Sequence, residues 1–125
     1  MSNITLYIKY KTNKYKIDNI PSIKYIINSI EEINNYDEIL QIDCHYNYQL
    51  TEFPKLPNSL QIFECWNNQL TSLPKLPNSL IKLYGYYNRL SILPEPPNSL
   101  KELHCNGGRF IKTQKYKYLK QFIYL

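Results

Sequence analysis

Apolar and polar positions along most of this chain repeat with a step of 20 residues. The block Pro54-Lys55-Leu56-Pro57-Asn58-Ser59-Leu60 returns unchanged as Pro74-Lys75-Leu76-Pro77-Asn78-Ser79-Leu80. A third copy, Pro94-Glu95-Pro96-Pro97-Asn98-Ser99-Leu100, keeps the phase with two substitutions. Between the blocks the chain reads Leu60-x-x-Phe63-x-Cys65-x-x-Asn68-x-Leu70, then Leu80-x-x-Leu83-x-Gly85-x-x-Asn88-x-Leu90, then Leu100-x-x-Leu103-x-Cys105-x-x-Gly108-x-Phe110. An earlier unit, Ile39-x-x-Ile42-x-Cys44-x-x-Asn47, fits with one extra residue before Leu50, and Leu119-x-x-Phe122-x-Tyr124 is a fragment of a fifth. Self-similarity at such a period predicts a stack of short coils, each giving one strand to a parallel sheet.

Side chains alternate across a strand, so Leu60, Phe63 and Cys65 are expected to point inward, with Leu80, Leu83 and Gly85 and with Leu100, Leu103 and Cys105 stacked beside them. Asn47, Asn68 and Asn88 fall where each strand turns away. There an amide side chain can bond the N–H and C=O groups that the bend leaves unpaired, which predicts a structural ladder. The return path Leu73-Pro74-Lys75-Leu76-Pro77 is too rich in proline for a helix and should be extended or polyproline-like.

Residues 1–36 lie before the repeats and are expected to cap them, because the end of a stack exposes its core. Ile4, Leu6, Ile8 and Tyr10 alternate with polar neighbours and predict a strand. Lys11-Thr12-Asn13-Lys14 suggests a turn into a second strand near Tyr15 to Ile17. Ile23, Ile26, Ile27, Ile30 and Ile33 follow helical spacing, with Asn34-Asn35 as a stop, and predict an amphipathic helix. Residues 37–125 then form about four repeats and a terminal strand, within one structural domain.

The repeat resembles the short bacterial class of leucine-rich repeat, L-x-x-L-x-x-x-x-N-x-L-x-x-L-P-x-L-P, known from secreted effectors of pathogens, some fused to a ubiquitin-ligase domain. Its Leu76-Pro77-Asn78-Ser79-Leu80 is also similar to the Pro-Asn-Ser repeats of amoebal and giant-virus proteins. The resemblance covers about residues 38 to 125 and implies a binding scaffold of viral or pathogen origin. It does not bring a ligase activity, because no segment here is long enough for that second domain. The expected fold is an α/β solenoid: a right-handed leucine-rich-repeat superhelix with a short parallel sheet on its concave face, an extended convex side, and an N-terminal β-hairpin plus helix as cap.

Charge narrows the choice of partner. The chain carries a net +5. Residues 1–36 contribute +2, residues 37–108 contribute −2, and residues 109–125 contribute +5 through Arg109, Lys112, Lys115, Lys117 and Lys120 with no acid. Nucleic-acid binding would therefore rest on the C-terminal segment alone and is the least favoured reading. No stretch approaches the ~18–20 continuous apolar residues of a membrane span, and Met1-Ser2-Asn3-Ile4-Thr5 lacks the features of a signal peptide. A cytoplasmic protein without a membrane partner is expected.

Chemistry-bearing residues are few. Cys44, Cys65 and Cys105 share one inward slot, contain no close C-x-x-C pair, and read as buried free thiols. His45 and His104 point outward on strands that are not adjacent, so no triad assembles. Asp43 and Glu64 should neighbour each other, which can raise one pKa. No cofactor, metal or enzymatic activity is expected.

The outward positions form three columns across the strands: Gln41, Ile62, Lys82, Glu102 and Gln121; Asp43, Glu64, Tyr84, His104 and Ile123; His45, Trp66, Tyr86, Asn106 and Leu125. Trp66, the only tryptophan, should lie beside Tyr86 and near Tyr84, with Tyr46 and Tyr87 just past the strand ends. Trp and Tyr bury much area at little entropic cost and are enriched at interface hot spots. The reading is a protein-interaction module whose concave patch centres on Trp66, Tyr84 and Tyr86. Asp43, Glu64, Lys82 and Glu102 would form its rim, with His45 and His104 on the same face. Against it stands stacking of the tyrosines for stability alone, in a chain that holds 13 of them. A second role is structural, with self-association or a homodimer through the open C-terminal edge near Leu119 to Leu125.

Overall fold

The computed structural model describes residues 4–48 and 50–105 and, for the backbone, strand 121–124. Seven strands form one open mixed sheet. In chain order they are β1 (Ile4–Tyr10), β2 (Ile23–Ile27), β3 (Ile39–Asp43), β4 (Ile62–Glu64), β5 (Lys82–Tyr84), β6 (Glu102–Cys105) and β7 (Gln121–Tyr124). The order across the sheet is β2-β1-β3-β4-β5-β6-β7. From β3 to β7 every pair is parallel, whereas β1 runs antiparallel to both β2 and β3.

The register of the parallel strands follows the repeated pattern, with the 20-residue step kept between β4, β5 and β6 and off by one residue at β3 and β7. Ile42 lies opposite Phe63, Phe63 opposite Leu83, Leu83 opposite Leu103, and Leu103 opposite Phe122. Ile42, Phe63, Leu83 and Leu103 are fully buried, and so are Leu60, Leu80, Cys44 and Cys65. One apolar cluster runs without a break from Leu6 and Ile8 on β1 to Leu103 and Cys105 on β6. All three cysteines are free and buried. Burial pushes all three thiols up, Cys105 to about 11, as expected of apolar fillers.

Two side-chain ladders tie each repeat to the one before it. In the first, each Asn amide bridges a carbonyl of its own strand end and one of the preceding strand: Asn68 Nδ2 donates to Cys65 O (3.0 Å) and Cys44 O (2.9 Å). Asn88 Nδ2 donates to Gly85 O (3.2 Å) and Cys65 O (2.9 Å). Asn68 Oδ1 accepts from Asn47 N–H at 2.6 Å, and Asn88 Oδ1 from Leu70 N–H at 3.0 Å. In the second, the serine of each Pro-Asn-Ser block donates to the coil before it. Ser59 Oγ reaches Ile39 O (2.7 Å), Ser79 Oγ reaches Leu60 O (2.5 Å), and Ser99 Oγ reaches Leu80 O (2.6 Å). The same blocks are β-turns, closed by Leu60, Leu80 and Leu100 N–H bonding to Pro57, Pro77 and Pro97 O at 3.0–3.1 Å. The proline-rich return paths at 52–57, 72–77 and 92–97 contain no helical turn. The serine recurs in the motif, but serine hydroxyls bond locally in so many ways that spacing alone does not pick the partner, and this ladder was missed in the sequence.

The N-terminal segment departs from expectation. No α-helix occurs among the described residues, so the helical part of the cap, and with it the α/β class, is corrected to a sheet with three short 3-10 turns at Ile17–Asn19, Ile30–Glu32 and Tyr36–Glu38. Ile23–Ile27 is instead a strand, paired with β1 from Ile4↔Ile27 to Ile8↔Ile23. β-Branched and aromatic residues favour an extended backbone, and β1 offers an open edge to pair with. Ile23 and Ile26, which the helix would bury, are 48% and 61% exposed. The second strand expected near Tyr15 to Ile17 is absent, and the hairpin closes through a longer connection, 11–22. Ser29-x-x-Glu32 forms a capping box that starts the Ile30–Glu32 turn, a signal present in the sequence and overridden by the isoleucine spacing. Ile27, Ile30 and Ile33 do reach the core.

β1 substitutes for a preceding coil. Asn47 Oδ1 accepts from Thr5 N–H at 2.9 Å, and Asn47 Nδ2 donates to Thr5 O at 3.0 Å and to Cys44 O at 2.7 Å. The first ladder asparagine therefore grips an antiparallel strand with the same amide that its successors use on parallel coils.

Candidate functional site

On the outward face, the positions between the inward residues line up in register. Gln41, Ile62, Lys82 and Glu102 form one row, and Asp43, Glu64, Tyr84 and His104 the next, with Gln121 and Ile123 of β7 in backbone register with Glu102 and His104. The third row, just past the strand ends, is an aromatic stack. His45 and Trp66 lie 4.4 Å apart between ring centroids and 5° from parallel, and Trp66 and Tyr86 lie 5.4 Å apart at 16°. Tyr7 of β1 extends the stack beyond His45, at 6.3 Å and 15°. Strand spacing of about 4.8 Å sets this geometry, since side chains standing on neighbouring strands meet ring to ring. Asn106 and Leu125, the remaining members of the column, lie outside the described residues, as does the basic segment Arg109 to Lys120.

Tyr46 and Tyr87 flank the stack. Tyr46 sets its ring edgewise to His45 (5.3 Å) and Trp66 (5.0 Å), and Tyr87 does the same to Tyr86 (5.3 Å). Both sit in the left-handed backbone region, at φ 59° and 56°, and Asn67 holds the equivalent place in the coil between them at φ 55°. The turn that ends each strand requires this conformation. Asn adopts it readily, whereas a tyrosine there costs on the order of 1 kcal/mol. Both tyrosines are about half exposed, so the strain is not repaid by burial in the core.

Tyr84 does not join this group. Its ring packs against His104, 4.5 Å away, and its hydroxyl donates to Glu102 Oε1 at 3.1 Å. His104 Nε2 reaches the same oxygen at 2.8 Å, and Lys82 Nζ lies 3.7 Å from Glu102 Oε2. Burial alone would raise the Glu102 pKa, but the bonds from His104 and Tyr84 and the charge of Lys82 outweigh it, and the net shift is downward. Burial and the neighbouring Glu102 carboxylate push Tyr84 up to about 12. Lys82, Tyr84, Glu102 and His104 thus form a satisfied polar cluster beside the stack.

Between the two groups lie Asp43 and Glu64, directly opposite one another on β3 and β4. Asp43 Oδ1 pairs with His45 Nδ1, which fixes the imidazole within the stack. Glu64 Oε2 accepts from Gln41 Nε2 at 3.0 Å. Partial burial and then the Asp43 charge raise the Glu64 pKa, the interaction anticipated from the sequence. Burial also raises Tyr86, with the Glu64 charge adding to it.

The sequence-based patch therefore divides. Trp66, Tyr86 and His45 stand together, Asp43 and Glu64 adjoin them, and Tyr84, Lys82, Glu102 and His104 make a separate network. Tyr7 was missed because it lies outside the repeat, and only the antiparallel register Tyr7↔Asp43 brings it alongside. His45 and His104 stand on β3's end and β6 with β4 and β5 between them. Among the described residues no group of three His, Cys, Asp or Glu side chains is placed to hold a metal ion, and no helix is long and apolar enough to cross a membrane. Comparison with models of known protein families and with curated proteins gives no match.

Proposed function

We propose that this chain is a leucine-rich-repeat solenoid, a non-enzymatic intracellular module that binds a partner protein through the open face of its sheet. The observation that carries the reading is the Tyr7–His45–Trp66–Tyr86 stack with Tyr46 and Tyr87 held beside it in strained backbone. A row of partly exposed aromatics preorganised by neighbouring strands, flanked by the half-exposed Tyr46 and Tyr87, loses little entropy on binding and offers contact area. Backbone strain at exposed tyrosines supports a use for those side chains beyond stability. The right-handed turn and the concave shape of the face belong to the same proposal, as do the resemblance to effector and giant-virus repeats and a cytoplasmic location.

Truncating Trp66 and Tyr86 together to Ala tests it. Proteins captured by the wild-type chain should be lost with the double variant, by roughly 30-fold or more in affinity if hot-spot magnitudes apply. Far-UV circular dichroism should be unchanged apart from the aromatic contribution. Equal capture by the two proteins overturns the reading. A second reading is self-association through β7, which has β6 as its only neighbour in the sheet order. Sedimentation of a concentration-dependent dimer that persists in the Trp66/Tyr86 variant would favour it.

A further inference from the structure

The charges on the outward face are satisfied unequally. Glu102 is enclosed by His104, Tyr84 and Lys82. Asp43 and Glu64 are not: they face each other on adjacent parallel strands, and among the described residues no Lys or Arg lies within ion-pair distance of either. Lys9, on β1 nearby, bonds the Ile17 carbonyl through its Nζ at 3.1 Å, and its charge acts on Glu64 only from beyond ion-pair distance. One oxygen of each acid is engaged, Oδ1 of Asp43 by His45 and Oε2 of Glu64 by Gln41. Asp43 Oδ2 and Glu64 Oε1 accept no hydrogen bond from the described residues. Two carboxylate oxygens on strands about 4.8 Å apart match the fork of one guanidinium better than the single point charge of an ammonium.

The aromatic stack adds a second recognition element. Its rings cover one another's faces, so what they present outward is their edges. Trp66 Nε1 and the Tyr7 and Tyr86 hydroxyls find no protein hydrogen-bond partner among the described residues. Donors in a row across the strands suit the carbonyls of an extended backbone. The paired carboxylates beside them repel phosphate and acidic peptides.

We infer that the partner segment is an extended peptide bearing arginine, its guanidinium seated over the Asp43–Glu64 pair and its backbone laid along the polar edges of Trp66 and Tyr86. This rests on the sheet face being the binding surface. The chain carries a net +5, but residues 37–108 sum to −2, so it is the comparison with the Asp43→Asn/Glu64→Gln variant that ties binding of a cationic peptide to the local site.

Trp66 is the only tryptophan, so its emission is a direct readout. The full chain is titrated with nona-arginine, nona-lysine and nona-glutamate at fixed ionic strength, alongside the Asp43→Asn/Glu64→Gln variant, which keeps the acceptors for His45 and Gln41. Saturable change with nona-arginine, several-fold weaker with nona-lysine and weakened by at least about tenfold in the variant, supports the inference. Equal affinity of wild type and variant for nona-arginine overturns it. If nona-glutamate alone perturbs Trp66, the face binds peptides but the arginine assignment fails, which separates that failure from failure of the face itself. No response to any of the three peptides overturns the arginine inference. The Trp66/Tyr86 capture experiment then decides whether the face binds at all.

Discussion

Asn68 and Asn47 use the same amide on two kinds of neighbour. Asn68 bonds Cys44 O in the preceding repeat, which shares its pattern and runs parallel to it with one extra residue, and Cys65 O at its own strand end. Asn47 bonds Thr5 on a strand of unrelated sequence that runs the opposite way. Inside the repeat, each coil meets the requirements of the next by repeating itself. At the N-terminal boundary the same requirements are met by a different chain geometry, which shows that they are set by unpaired backbone groups and not by the repeat sequence.

The largest expected effect breaks the repeat side of this comparison. Asn68→Ala removes three hydrogen bonds and leaves the Asn47 N–H without its acceptor in a buried site, so it should cost about 3 kcal/mol in chemical denaturation. Asn47→Ala should cost less, about 2 kcal/mol, because Thr5 is only partly buried and water can replace the lost partner. Its effect should be local as well, with amide exchange accelerating along β1 and β2 before it changes along β4 and β5. Uniform acceleration across all strands would mean that the boundary and the repeat are one cooperative unit.

Smaller changes sharpen the picture within the coils. Ser79→Ala deletes the bonds to Leu60 O and Asn58 O and should cost about 1 kcal/mol. Gly85 occupies the slot that Cys44, Cys65 and Cys105 fill in the other coils. An added Cβ would meet Cys65 Sγ at 3.7 Å and Leu90 Cδ1 at 4.0 Å, ordinary contact distances. Gly85→Ala should therefore stabilise by roughly 0.5–1 kcal/mol through reduced chain entropy and the filled slot. Destabilisation would show that the coil is tighter than these distances indicate.

The smallest effect concerns pH. The Glu64 pKa is raised in the folded state, so its favourable contribution is present below the unfolded carboxylate range and is lost as pH rises through the folded value. Glu64→Gln should match the wild type in acid and become the more stable protein towards neutrality, by under about 1 kcal/mol because the group is partly solvated. A gap that closes with rising pH would contradict the assigned cause.

The repeated parallel strands were legible in the sequence because every inward position is stated several times. Phe63, Leu83 and Leu103 vote for one register, and a chance spacing cannot imitate that. Nothing repeats in the N-terminal segment, and Ile23, Ile26, Ile27, Ile30 and Ile33 satisfy a helical spacing while their β-branched side chains favour a strand. The pairing edge of β1, a tertiary feature, decided between them. The site was legible in the same proportion. His45, Trp66 and Tyr86 fall in one column because the step places them there, whereas Tyr7 arrives from outside the step. Tyr84 was grouped with Trp66 because it falls in the adjacent outward column of the neighbouring strand, although the bonds that govern it come from Glu102 on the next strand.

The antiparallel β1 gives the molecule a direction of growth. An additional twenty-residue unit inserted between Leu70 and Leu90 would meet ready partners on both flanks, a carbonyl for its asparagine and another for its serine. The same unit placed ahead of Ile39 would have to displace a strand of opposite sense and surrender the clasp at Thr5. Lengthening by duplication is thus open among the inner repeats and opposed at β1.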